Sequence, residues 1–168
     1  NKMLETLGAS AIGMPVPAVP EALSKGVIDG TVVPWEVTPS IKIAELAPNH
    51  TTFSGKHALY EATFLFGMNE ASYKALPDDL KKVIDDNSGM PVAKMFGEAM
   101  DWGDQHGLEV AQKAGNKIVT LDEAETKRWQ EVADKVTADW VKEMDGKGMD
   151  GTGLLKDAKD LIAKYSAQ

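Results

Sequence analysis

Few residues in this chain have the types and spacing that chemistry requires. The three histidines, His50, His57 and His106, are far apart and match no metal-ligand pattern, so they read as solvated or structural side chains. Asp145 to Thr152 has the outline of a calcium loop, but Lys147 and Met149 fall where oxygen ligands belong. Gly55-Lys56 lacks the glycine-rich approach of a phosphate loop, and no serine sits in a nucleophile elbow. Asn49-His50-Thr51 is a glycosylation sequon, a tripeptide too common to carry weight. The absence of cysteine excludes disulfides, zinc-thiolate sites and thiol catalysis. No catalytic residue, metal site or cofactor is therefore expected. Of the 18 basic residues only Arg128 is an arginine, so a guanidinium clamp on a carboxylate has one candidate. Arg128 lies on the polar side of a helix, which assigns it a solvated surface role.

The aromatic residues divide differently. Trp129 and Trp140 fall on one stripe of a helix, where core packing explains them, and Trp102 in a glycine-rich helix reads as packing too. Trp35 follows Pro34 at the end of an expected strand and precedes Glu36 in a connection. Loops at strand ends are where α/β proteins bind ligands. An aromatic plug of the sheet edge and a ligand-binding wall fit Trp35 equally at this point.

The elements that position these residues follow from pattern. Asn1 to Gly8 reads as the last turns of an amphipathic helix closed by glycine, so a C-terminal part of something longer is expected. Ala9 to Met14 and Thr31 to Val33 read as short strands, and Pro20 opens a helix that Gly26 stops. A helical segment from Ser40 to Leu46 and an extended stretch from His57 to Met68 follow. Asn69 is placed to cap a short helix through Tyr73, and Pro77-Asp78-Asp79 opens another with acidic residues at its positive end. Gly89-Met90-Pro91 interrupts this helical region, which continues to about Ala114; Gly97, Gly103 and Gly107 predict a kink or close packing within it. Lys117 to Leu121 is a strand, and Asp122 with Glu125 starts a helix whose apolar face is Trp129, Val132, Ala133, Val136, Trp140 and Met144. Thr152 is placed to cap the last helix. The rhythm is that of an α/β sheet layer.

Charge and hydropathy narrow the partners. A formal net charge of −8 argues against a nucleic-acid surface, which needs a cationic footprint. No run approaches the 18 or so apolar residues needed to span a bilayer, so direct membrane insertion is not expected.

Three segments stand together: Gly8-Ala9-Ser10 with Met14-Pro15, then Glu21-Ala22-Leu23-Ser24-Lys25-Gly26-Val27-Ile28-Asp29-Gly30, and Met68-Asn69-Glu70 with Tyr73-Lys74-Ala75-Leu76-Pro77-Asp78-Asp79-Leu80. In combination they resemble the solute-binding proteins of TRAP transporters, the DctP-type family. The resemblance covers essentially the whole chain. It implies an α/β, two-lobe periplasmic-binding-protein-like fold, of which this chain supplies most of the second lobe plus a strand and helix of the first. Residues 1–52 would form the first part of the second lobe, 53–95 the crossing strand and helix given to the first, and 96–168 the return. It also implies capture of a small organic acid in an interlobe cleft, delivery to TRAP membrane permease subunits, a periplasmic location and no enzymatic activity. The family's ligand-carboxylate arginine is expected just upstream of Gly8, outside this chain.

By position, the resemblance places ligand contacts at Met14 and Val16 and, after Asp29-Gly30, at Val33, Trp35 and Glu36. Where some relatives carry an asparagine, this chain reads Val32-Val33-Pro34-Trp35-Glu36. An indole and a carboxylate there disfavour a sialic-acid-like ligand and suit a smaller organic acid with an apolar, hydroxylated or aromatic portion. Amides at the start of the helix after Pro20 would assist an anion. The competing reading is an α/β enzyme domain using Glu36 or Asp29 as acid or base with an upstream partner; a structural or interaction domain is a third.

Overall fold

A computed structural model describes residues 1–55 and 58–166. The chain divides into two compact units, one drawn from Asn1–Gly13, Phe53–His57 and Leu121–Gln168, the other from Met14–Thr52 and Ala58–Thr120. Two strands, β1 (Asn49–Phe53) and β2 (Lys117–Leu121), form the sheet among the described residues. They run parallel: the Lys117 N–H donates to the Pro48 carbonyl at one end, and the Ser54 N–H to the Leu121 carbonyl at the other. A parallel pair needs a long crossover, and that crossover contains three helices: α4 (Glu70–Lys74), α5 (Asp78–Asp86) and α6 (Met90–Lys113).

In the first unit, α1 (Lys2–Thr6) ends where Gly8 turns left-handed at φ 87°, as its terminal glycine predicts. Helix α7 (Glu123–Gly146) starts at Asp122, whose carboxylate accepts the Glu125 N–H. Phe53 meets Trp129 edge to face at 5.5 Å, which makes Trp129 a packing residue. Lys2 pairs with Glu143 at 3.1 Å, tying α1 to α7. Together with Lys147, Lys2 holds the Glu143 carboxyl down at about 2, chiefly through these hydrogen bonds. Helix α8 (Gly151–Ser166) is capped by Asp150 rather than Thr152, because the Asp150 carboxylate accepts the Gly153 N–H at 2.8 Å. Asp145 likewise accepts the Gly151 N–H, so the acidic residues of this loop serve its own backbone.

In the second unit, α2 (Val19–Ser24) and α3 (Ile43–Leu46) enclose a small core of Val19, Ile41 and Ile43. The expected helix from Ser40 is shorter than its pattern suggests. Lys42 adopts φ 55°, a left-handed conformation no α-helix interior accepts, so the helix can begin only at Ile43. Asn69 caps α4 through the Ser72 N–H, as expected. Helix α6 runs unbroken from Met90 to Lys113; Gly103 and Gly107 show the expected close packing, whereas a Cβ on Gly97 would meet nothing within 4 Å.

The strands expected at Ala9–Met14 and Thr31–Val33 do not form, and neither does one in the extended stretch to Met68. The start of that stretch, His57, lies outside the described residues. These segments have apolar or β-branched residues, but a strand also needs a neighbour for its N–H and C=O groups. Among the described residues none pairs with them. The strand that does form beside β2, β1 (NHTTF), is largely polar and not among the expected strands, although Thr51, Thr52 and Phe53 favour extended backbone.

Candidate functional site

The candidate ligand residues all lie in the second unit, in two clusters. Met14 and Val33 pack against the Val19–Ile41–Ile43 core and are half-buried. Val16 belongs to a single 3-10 turn, Val16–Ala18, and is 41% exposed. Trp35 and Glu36 open a second 3-10 turn, Trp35–Val37, directly after Pro34, and both are half-buried. Helix α2 has six residues. A helix that short has too little macrodipole to make the anion site expected at its start.

The Trp35–Glu36 corner is held by α6. Gly107 faces it so closely that a Cβ there would overlap the Trp35 carbonyl oxygen and come within 3.0 Å of the Thr38 hydroxyl oxygen. One turn earlier, a Cβ on Gly103 would lie 2.8 Å from the Glu36 Cβ. Between the two glycines, the Asp104 carboxylate accepts the Glu36 N–H at 2.8 Å. Pro34 offers this turn no side-chain cap, and Asp104 supplies one from another element. The Trp35 carbonyl accepts from both the Thr38 N–H at 3.1 Å and the Thr38 hydroxyl at 2.7 Å. Thr38 is buried with its hydroxyl thus satisfied.

On its other side the indole of Trp35 leans on the His50 ring, at 5.1 Å between centroids and a tilt of 47°. The His50 Nε2 lies 2.9 Å from the Asn116 side-chain oxygen. That oxygen can only accept, so Nε2 donates, and the bond fixes the imidazole plane. His50 comes from β1 and Asn116 immediately precedes β2, so the strand pair sets the support on which Trp35 rests. Burial and the Glu36 carboxylate together raise the Tyr60 phenol above its ordinary pKa.

Sequence reasoning missed this support. Gly103 and Gly107 carry a signal for close packing, but not the identity of what packs on them. His50, Asp104 and Asn116 carry no signal, because their partners are 15 to 68 positions away. Trp102, expected to be packed, is 69% exposed and stacks flat on His106, 5.6 Å away. It stands one position before the glycine face, and α6 turns it away from the Trp35 corner. Arg128 pairs with Glu125 at 2.8 Å on the surface, in accord with its expected solvated role. Among the described residues no His, Cys, Asp or Glu cluster is arranged to hold a metal, and no helix is long and apolar enough to cross a membrane.

Comparison with known proteins then decides the family. The profile of the bacterial extracellular solute-binding proteins, family 7 (DctP), matches residues 1–143. The chain belongs to this family. A solute-binding protein of Albidiferax ferrireducens is 29% identical over 138 residues, covering 80% of this chain and 39% of that protein.

Two crystal structures are similar throughout. A TRAP solute-binding protein from Rhodoferax ferrireducens T118, in complex with copurified benzoate, superposes with a TM-score of 0.94 at 46% identity, covering 99% of this chain and 52% of that one. A marine metagenome TRAP solute-binding protein specific for aromatic acid ligands, in complex with metahydroxyphenylacetate, gives a TM-score of 0.94 at 49% identity, with 98% and 52% covered. The chain thus spans about half the length of these structural relatives. It carries part of a two-lobe periplasmic-binding-protein-like fold of mixed helix and sheet.

Proposed function

We propose that this chain contributes the Trp35 wall of an aromatic-carboxylate site in a TRAP-transporter solute-binding protein. The observation that carries the reading is an indole resting on His50, on a backbone turn held by Asp104, in a chain whose relatives at 46% and 49% identity hold benzoate and metahydroxyphenylacetate. An indole face offers an aromatic ring offset stacking, worth about 1 kcal/mol beyond the area it covers. The Glu36 carboxylate would repel the ligand's own carboxylate. It therefore faces the other end of the ligand, where it suits a hydroxyl donor. Met14, Val16 and Val33 supply the apolar lining.

Binding would favour a closed two-lobe form in proportion to its differential affinity for that form. In this reading a membrane permease receives the closed protein in the periplasm, and no bond of the ligand is broken. Calorimetric titration with benzoate and 3-hydroxybenzoate tests the site. Trp35→Ala should weaken binding by about tenfold, the loss typical of an aromatic anchor. Glu36→Gln should narrow the preference for the hydroxylated acid. Equal affinity of Trp35→Ala and wild type would remove Trp35 from the site. Recovery of a chemically altered acid would replace transport with enzymology.

A further inference from the structure

We infer that Asp104, seated between Gly103 and Gly107 on α6, is a positioning residue that fixes the Trp35–Glu36 corner before ligand arrives. The inference rests on the reading of Trp35 as a ligand wall. It adds the device that holds that wall still.

Glycine costs a helix interior about 1 kcal/mol relative to alanine, and aspartate is also a weak helix former. Helix α6 nevertheless places Gly103, Asp104 and Gly107 within five positions of its sequence. Positions four apart share a face, and on that face every one of the three meets the same turn. The glycines admit the Trp35 carbonyl and the Glu36 Cβ, and Asp104 takes the Glu36 N–H. A backbone N–H bound to a half-buried carboxylate is a charge-assisted bond, stronger than a neutral one.

The peptide joining Trp35 to Glu36 is therefore held at both its polar groups, its carbonyl by Thr38 and its N–H by Asp104. The indole that projects from it rests on His50, which Asn116 orients. With the peptide, the Cα and the ring face all restrained, the wall loses little freedom when a ligand stacks on it. Affinity gained this way comes from ordering done during folding.

The test compares Asp104→Ala, Asp104→Asn and Trp35→Ala with wild type by calorimetry with 3-hydroxybenzoate and by amide hydrogen exchange at Glu36. Asp104→Ala should accelerate Glu36 exchange at least tenfold and weaken binding about fivefold. Asp104→Asn retains an acceptor oxygen and should restore both to within about twofold. Thermal unfolding of the Asn variant within a degree or so of wild type separates positioning from global stability.

Unchanged Glu36 exchange in Asp104→Ala would overturn the inference whatever happens to binding. Faster exchange with unchanged affinity, in a protein that Trp35→Ala weakens, would overturn it equally. If Trp35→Ala binds as tightly as wild type, or wild type binds no 3-hydroxybenzoate, the aromatic-acid reading fails. Glu36 exchange and its rescue by asparagine then still decide whether Asp104 holds the corner.

Discussion

Both halves of α6 carry apolar side chains, but only the C-terminal half is covered. From Gly103 onward the helix seats the Trp35 turn, buries Gly107 and leaves Ala111 1% exposed. In the N-terminal half Met95 is 56% exposed, Phe96 50% and Trp102 69%. Phe66, from the segment between β1 and α4, lies 6.4 Å from Phe96 and is itself fully exposed, as Leu65 is at 96%. These side chains leave an exposed apolar stretch along the N-terminal half of α6 and the Leu65-Phe66 segment. One helix thus serves two purposes: the half with small residues admits a backbone, and the half with large ones presents side chains.

Substitutions should break this contrast in order of severity. Gly107→Val places two methyl groups where the Trp35 carbonyl stands, and urea unfolding should show a loss of about 3 kcal/mol or more. Ile43→Ala empties part of the small core and should cost about 2–3 kcal/mol by the same measurement, since so small a core can partly collapse. Gly103→Ala sets a clash with Glu36 against a gain in helix propensity and should cost about 1 kcal/mol. Phe96→Ser in the exposed half should change stability by no more than about 0.5 kcal/mol while lowering the binding of a hydrophobic dye. A large loss of stability there would show that the two halves are equally packed.

The smallest effect concerns pH. The Glu143 carboxyl titrates near 2 in the folded chain, against 4.5 for the free group. Its contribution is therefore present above about pH 4.5 and disappears as pH falls through about 2, because the unfolded chain takes up the proton first. Glu143→Gln should flatten acid unfolding in that window and lower stability at pH 7 by the same amount, which is small because the pair is exposed and screened. A large loss of stability at pH 7 would mean that α1 depends on this pair.

The features legible in the sequence are those governed by neighbours in the chain. Asp122 and Asn69 cap their helices because a cap reaches only to the third residue onward. Gly8 ends α1 because the left-handed turn is a local requirement, and β2 and the span of α7 follow from periodicity, although Trp140, expected to pack on the α7 stripe, is 38% exposed. The family resemblance, too, rests on contiguous segments and holds across residues 1–143.

What the chain did with Trp35 depended on contacts no local pattern encodes. The glycines of α6 announce a close approach, but only the fold shows that the Trp35 turn makes it, with Asp104 as its cap. His50 and Asn116 meet because β1 and β2 pair, and that pairing joins segments more than 60 positions apart. Conversely, Thr31–Val33 has strand-forming residues and remains unpaired. Helices close their hydrogen bonds within themselves, so sequence alone determined most of them. Strands and ligand corners borrow partners from distant chain, and those only the tertiary structure could assign.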